Sequence, residues 1–131
     1  MIELLSPAGD MERLKLALMY GADAVYLSGE MFGMRAKNVG FSRENLAAAS
    51  EYVHNKGKKL YITCNTLPRE NEIALLPEYL EFLNDIGVDA IIAADLGVIS
   101  LAKKHAPDVS LHISTQLGVV NSVTVTELYN M

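Results

Sequence analysis

Cysteine is nearly absent from this sequence: Cys64 stands alone. One thiol makes no intramolecular disulfide and assembles no cysteine metal site within a chain, so a reducing, cytoplasmic location is expected. Long apolar runs are also missing. None approaches the ~20 residues that cross a bilayer, and no membrane partner is expected. Residues Met1 to Pro7 carry Glu3 and lack the basic start and apolar stretch of a secretory signal. Positive charge is in short supply, with 11 Lys and Arg against 16 Asp and Glu for a net charge of -5. That balance argues against broad binding along phosphate backbones while leaving room for a local basic pocket. The chain has no Gly-x-Gly-x-x-Gly loop, no Walker phosphate loop and no His-Glu-x-x-His zinc motif.

What is present is the composition of one soluble globular domain. Half of the 131 residues are apolar and 21% are charged, enough to bury roughly two-thirds of the surface of the unfolded chain. β-rich runs alternate with longer helical patterns, the arrangement of parallel strands joined by crossover helices, which makes the class α/β. Strands are expected at Ile2 to Ser6, Ala24 to Ser28, Lys59 to Asn65, Ala90 to Asp95 and Ser110 to Gln116. Helices are expected near Met11 to Tyr20, Arg43 to Lys56, Glu72 to Ile86 and Leu96 to His105, with a fifth beginning at Ser122. Apolar stripes run along Met11, Leu14 and Leu18, and along Ile73, Leu76, Leu80 and Leu83. Gly21, Gly57 and Gly87 follow three of these helices at intervals of 36 and 30 residues. Gly21-Ala22-Asp23-Ala24 echoes Gly87-Val88-Asp89-Ala90, which suggests a repeated β/α unit.

The strands alternate, and this separates two architectures. One face carries Ile2, Leu4, Val25, Leu27, Leu60, Ile62, Leu111 and Ile113. The other carries Glu3, Tyr26, Ser28, Tyr61, Thr63, Asn65, His112, Ser114 and Gln116. An open doubly wound sheet wants apolar residues on both faces, because helices cover both. A β/α barrel puts helices outside and leaves the second stripe toward its axis. The expected fold is therefore the first part of a TIM-like barrel of parallel β/α units. The fourth strand fits less well, because counting back from Asp95 points Ile91 and Ala93 inward. A whole barrel takes about 250 residues, so residues 1–131 are expected to form an incomplete amino-terminal segment of a longer chain. Its open first and last strands would then favour self-association.

Candidate functional residues lie after the strands, where barrels gather their chemistry. Asp10 can face a ligand or cap the first helix, and Asp95 has the same two uses. The loop from Gly29 to Phe41 is long for this fold. Within it Arg35 suits a carboxylate or phosphate, Lys37 adds a point charge, and Asn38 both donates and accepts hydrogen bonds. An anionic small molecule, a peptide or RNA would fit these groups; a solvated basic loop is the structural alternative. Asn65, Ser114 and Gln116 can orient a polar substrate or satisfy turn backbone. His112 is an acid/base candidate if it faces the cavity, and otherwise a structural histidine. His54 and His105, late in their helices, are expected to interact with terminal carbonyls. Cys64 is expected to be a small buried side chain.

Glu3-Leu4-Leu5-Ser6-Pro7-Ala8-Gly9-Asp10, Gly21-Ala22-Asp23-Ala24-Val25-Tyr26 and Arg35-Ala36-Lys37-Asn38 together resemble the amino-terminal region of the peptidase U32, or collagenase-like protease, family. Gly87-Val88-Asp89-Ala90, Ala94-Asp95-Leu96-Gly97, Ser114-Thr115-Gln116 and Asn121 continue the resemblance along nearly the whole chain. It implies a β/α-barrel region and a peptidase, with the segment inactive alone. The alternative it implies is a part in RNA or quinone hydroxylation. Downstream cysteines of such proteins hold an iron–sulfur cluster, which places that cofactor in the full-length chain and none in these residues. The resemblance carries Glu3, Arg35, Asn38, Asn65, Asp95 and Gln116 over as candidates. Arg35 would hold an acidic group, Asp95 and Glu3 would position polar partners, and the three amides would complete a hydrogen-bonded pocket. A receiver-like signalling domain fits the length. However, Ser6-Pro7 ends the first strand where that fold has an acidic pair, and Asn65 replaces its phosphate-accepting Asp.

Overall fold

The computed structural model describes residues 2–34 and 40–131. Five strands form one parallel sheet: β1 (Leu5–Pro7), β2 (Ala24–Ser28), β3 (Lys59–Cys64), β4 (Ala90–Ala93) and β5 (Ser110–Ile113). Between and after them lie α1 (Met11–Met19), α2 (Arg43–Asn55), the single turn α3 (Glu70–Ile73), α4 (Leu76–Asp85), α5 (Leu96–His105) and α6 (Ser122–Asn130). The spatial order is β1-β2-β3-β4-β5, the same as the chain order. A doubly wound sheet reverses its strand order partway to place helices on both faces. No reversal occurs here, so successive crossovers leave the helices on one side and the sheet is an unclosed barrel wall.

Packing divides the two faces as the alternation requires. Val25, Leu27, Leu60, Ile62, Cys64, Ile91 and Ala93 join Leu14, Leu46, Val53, Tyr79, Leu80, Leu83 and Val98 in the main core beneath the helices. Ala24, Tyr61 and Ala90, with Tyr26 and Ile92 against them, form a separate small cluster on the opposite face. The fourth strand therefore points opposite to the count from Asp95: Ile91 and Ala93 face the helices, and Ala90 and Ile92 face inward. The register explains this, since Tyr61 pairs with Ala90 and Ile62 with Ile91, and paired residues share a face.

The Gly-x-Asp repeat has a physical basis. Gly21, Gly57 and Gly87 all take positive φ, a conformation a side chain would strain. At each, the next residue donates its N–H five positions back to the helix: Ala22 to Ala17, Lys58 to Val53 and Val88 to Leu83. The aspartates that follow the first and third glycines then reach the neighbouring strand. Asp23 Oδ2 accepts the Leu4 N–H at 3.0 Å, and Asp89 Oδ2 accepts the Leu60 N–H at 2.8 Å. Each carboxylate thereby pairs a backbone donor at the sheet's amino-terminal edge. A basic side chain supports each one, the Lys58 ammonium on Asp23 and the His54 ring on Asp89, both at 2.9 Å.

Several expected elements are shorter than their sequence patterns. β1 starts at Leu5, since the carbonyl of Leu4 already accepts Asp23 and Ala24 and its N–H goes to the Asp23 side chain. Ile2 and Leu4 lie exposed instead of under helices, at 95% and 56%. The long third helical pattern splits into α3 and α4 because Pro77 stands in the first turn of α4. Proline lacks an N–H, and its ring clashes with the carbonyl four residues back, so the two pieces do not fuse. β4 and β5 stop short because Asp95 caps α5 and Ser114 caps the 3-10 turn beyond β5. Among the described residues no helix is long and apolar enough to cross a membrane.

Replacing Asp89 with Ala should cost about 1–3 kcal/mol by leaving the Leu60 N–H unpaired at a part-buried site. Urea unfolding checks this, and a midpoint equal to wild type would show that the carboxylate has no part in setting the sheet register.

Candidate functional site

The inner face is built in rungs. Pro7, Tyr26, Tyr61, Ala90 and Ser110 form one, and Ser28, Thr63, Ile92 and His112 form the next toward the strand carboxyl ends. Ser28 Oγ and Thr63 Oγ1 hydrogen-bond at 2.7 Å, and Thr63 also reaches the Leu27 carbonyl at 3.4 Å. Gly33 lies directly over this pair. A methyl placed there would stand 2.6 Å from Ser28 Oγ, so only a glycine lets the chain approach the hydroxyls so closely.

The described start of the 29–41 loop is tied to the strand ends. Phe32 has φ +60, a left-handed value costly for an aromatic residue. It is held by the Thr66 N–H on its carbonyl at 3.1 Å and by its ring against Tyr79, centroids 5.6 Å apart. The Asn65 side-chain oxygen accepts the Met34 N–H at 3.2 Å, and the Gln116 amide touches the Met34 sulfur. Asn65 and Gln116 thus meet through Met34. Gln116 stands in a 3-10 turn (Thr115–Leu117) beyond β5 and not in the strand. Ser114 is buried and caps that turn, its hydroxyl accepting the Gln116 N–H at 3.3 Å.

The other candidates are separate from this group. Asp95 caps α5, accepting the Val98 N–H at 3.0 Å, and Asp10 caps α1 through the Arg13 N–H at 2.8 Å. Glu3 lies at the opposite, amino-terminal end of the sheet. Its carboxylate accepts the Tyr61 hydroxyl at 2.6 Å and the Lys59 ammonium at 2.9 Å. The Tyr61 hydrogen bond, and then Lys59, hold the Glu3 carboxyl below the ordinary glutamate range, while burial and the same bond push the Tyr61 phenol up. His112 packs its edge against Tyr61 with centroids 4.7 Å apart, so it belongs with Glu3 and not with the strand-end amides. Arg35, Lys37 and Asn38 lie outside the described residues.

Sequence reasoning missed Arg13. It lines an open pocket of about 200 Å³ with Pro7, Gly9, Tyr26 and Ser28, at the carboxyl ends of β1 and β2. Its guanidinium also pairs with Asp10 at 2.9 Å. A signal was available, since an Arg three residues after a helix-capping Asp shares that helix's first turn. Together with the hydroxyls and amides, Arg13 gives this end a cation and neutral hydrogen-bonding groups, a combination that orients polar anions.

Nucleophiles are poorly placed here. Burial pushes the Cys64 thiol up to about 12, which keeps it protonated among the helices. Ser50, His54 and Asp89 do form a chain, with 3.3 Å from Ser50 Oγ to His54 Nδ1 and 2.9 Å from His54 Nε2 to Asp89. That chain lies on the helix side, and Ser50 is buried and donates its proton to the Ile86 carbonyl at 2.7 Å. It ties α2 to the sheet and is not an attacking group. His54 and His105 bond to Asp89 and Glu81 instead of terminal carbonyls. No group of three or more His, Cys, Asp or Glu suited to a metal occurs among the described residues.

The depressed Glu3 carboxyl contributes stability that is complete above the ordinary glutamate range and lost as pH falls through its lowered value. Tyr61→Phe removes the main cause of that depression and should flatten the acid-side decline in melting temperature between neutral pH and pH 3. An unaltered decline would mean that Glu3 is not held by Tyr61.

Residues 9–131 match the profile of Peptidase family U32. The chain is 44% identical over 124 residues to an uncharacterized protease of Methanocaldococcus jannaschii, covering 95% of this chain and 30% of that one. It is 40% identical over 131 residues to tRNA hydroxylation protein P of Helicobacter pylori, covering 99% of this chain and 31% of the relative. A solved U32 peptidase superposes with a TM-score of 0.69 at 12% identity, over 87% of this chain and 49% of that one. The chain thus spans about a third of the length of the curated relatives it matches. With a family profile spanning nearly all of its length and an unclosed barrel wall that superposes on a solved member, this chain belongs to peptidase family U32.

Proposed function

We propose that this chain is the substrate-orienting amino-terminal wall of a U32 protein that acts in RNA hydroxylation. The observation that carries this reading is the character of the strand-end groups. Arg13 lines one pocket with Ser28, whose hydroxyl bonds that of Thr63, Asn65 and Gln116 bracket Met34, and the lone thiol is shut away. These groups bind and position polar anions; none is an activated nucleophile. The 40% identical relative named for tRNA hydroxylation supports the same direction.

In this reading Arg13 holds an acidic group of the substrate, and the sequence adds Arg35, Lys37 and Asn38 as further candidates for that role. The hydroxyls and amides orient the rest. Redox chemistry belongs to an iron–sulfur cluster on cysteines of the full-length protein outside these 131 residues. The single buried cysteine suits a cytoplasmic protein.

A peptidase is the second reading, favoured by the 44% identical relative named as a protease. The strand-end groups would then hold a peptide backbone, and the hydrolytic group would lie outside the described residues. Deleting the gene and analysing digested tRNA by mass spectrometry separates the two. RNA hydroxylation predicts that a hydroxylated nucleoside disappears and returns with the full-length protein. Arg13→Ala or Arg35→Ala should restore it roughly tenfold less efficiently, from the loss of a charge-assisted contact. Unchanged tRNA together with peptide cleavage by the purified full-length protein would favour the peptidase.

The 131-residue chain on its own self-associates in this proposal. Leu4 and Leu5 at one sheet edge are exposed, as are Val123, Val125 and Tyr129 on α6, a helix with no buried residue. Open strand edges and uncovered apolar side chains both favour association. Sedimentation equilibrium should show a mass that rises with concentration; a constant monomer mass up to 100-fold dilution would refute it.

A further inference from the structure

The sheet's helix side carries a second concavity, far from the strand-end groups. The last two turns of α1 and the last turn of α2 border a groove of about 380 Å³, lined by Lys15, Leu16, Met19, Tyr52, Lys56 and Lys58. These helix ends, and Lys58 just before β3, place it at the amino-terminal end of the sheet. The carboxyl-end pocket with Arg13 therefore lies at the other end of the wall.

Two features distinguish the groove from an ordinary solvated surface. Its cations are concentrated in a chain whose net charge is -5. Lys15 and Lys56 take part in none of the described ion pairs; their ammonium groups lie 5.5 and 5.8 Å from the centroid of the Tyr52 ring. Lys58 is neutralised by Asp23. The apolar part is also open to solvent, with Leu16 42% and Met19 69% exposed in the same groove. An aromatic ring and aliphatic side chains under two ammonium groups that enter none of the described ion pairs match the chemistry of a nucleotide. The base lies on the apolar floor and the ring, and the flanking phosphates meet the lysines. The volume is in the range of a small-ligand site and is short for a docked helix.

We propose that this groove holds a single-stranded RNA segment, as a positioning contact away from the strand-end groups. The inference rests on the RNA reading above and adds a surface to it. Lys15 and Lys56 contact phosphates, and Tyr52 offers a face to one base once the ammonium groups turn outward to those phosphates. A remote contact of this kind contributes affinity and orientation without touching reacting atoms.

The test is fluorescence anisotropy with the full-length protein and a labelled 15-nucleotide oligouridylate as probe, over a series of salt concentrations. The double variant Lys15→Ala/Lys56→Ala should bind at least tenfold more weakly at low salt, with the salt dependence reduced by one to two phosphate contacts. Tyr52→Leu should weaken binding fivefold or more while leaving the salt slope unchanged, because it removes stacking and no charge. Lys103→Ala/Lys104→Ala, in the last turn of α5, should leave binding unchanged. Circular dichroism melting of each variant checks that the fold is intact. Wild-type affinity in Lys15→Ala/Lys56→Ala overturns the proposal, as does an equal loss in Lys103→Ala/Lys104→Ala. Tighter binding of labelled polyglutamate, lost in the same lysine variant, would make the occupant an acidic protein segment and would also overturn it. Loss of the hydroxylated nucleoside on gene deletion, combined with RNA binding that ignores these lysines, leaves the hydroxylation reading standing and removes only the groove.

Discussion

Register is the constraint on which this structure depends. Side chains alternate across a strand, so a slip of one residue would turn Tyr61 and Thr63 under the helices and Leu60 and Ile62 toward the barrel axis. The carboxylates of Asp23 and Asp89 oppose such a slip by taking the Leu4 and Leu60 N–H groups at the edge where β1 and β3 begin. The glycine before each aspartate ends the helix and lets the chain turn back to bring the carboxylate there. Lys58 and His54, both from the crossover between β2 and β3, then anchor the two carboxylates. Helix end, turn and strand entry are thus one unit, used twice.

A wall with helices on one side has two different interiors. Beneath the helices the packing is apolar and nearly solvent-free, and its polar groups are inert. The Cys64 thiol stays protonated, the Ser50 hydroxyl is spent on a carbonyl, and the Tyr79 hydroxyl is buried without a partner among the described residues. On the inner face polar groups pair with one another, hydroxyl to hydroxyl between neighbouring β2 and β3 toward the carboxyl ends, and the Glu3 carboxylate to the phenol and ammonium of β3, past β2, toward the amino ends. The candidates collected from the inner stripe therefore gather toward the two ends of the sheet, with His112 between them, in the Ser28–Thr63 rung and packed on Tyr61. Arg13 joins the carboxyl-end group from outside the strands, because α1 begins where β1 ends.

Much of the fold is legible in the sequence because local rules and the global arrangement agree. The α1 and α4 stripes, the glycines after the helices and the alternation in β2 and β3 all lie where their periods and turn chemistry put them. Errors gather at element ends. There a capping side chain competes with one more strand residue, as at Asp95 and Ser114, or a proline divides a continuous apolar pattern, as at Pro77. The site is less legible. Asn65 and Asp95 occupy strand ends as expected, yet each spends a side-chain oxygen on a backbone N–H, Asn65 on Met34 in the loop after β2 and Asp95 on Val98 in the helix it caps. Hydrogen bonds of that kind depend on where the next turn lies, which composition and spacing do not specify.

The sequence by itself determined the class, the crossover helices and the division of the strands into an apolar and a polar face, because these follow from periodicity and from residues with few conformational options. Tertiary structure alone decided the in-out phase of β4, the separation of Glu3 and His112 from the strand-end amides, and the recruitment of Arg13. Each of those depends on how one strand is shifted against its neighbour and on how far the sheet extends. The first is set by hydrogen bonds between residues 19 to 29 positions apart, and no local pattern in the chain records them.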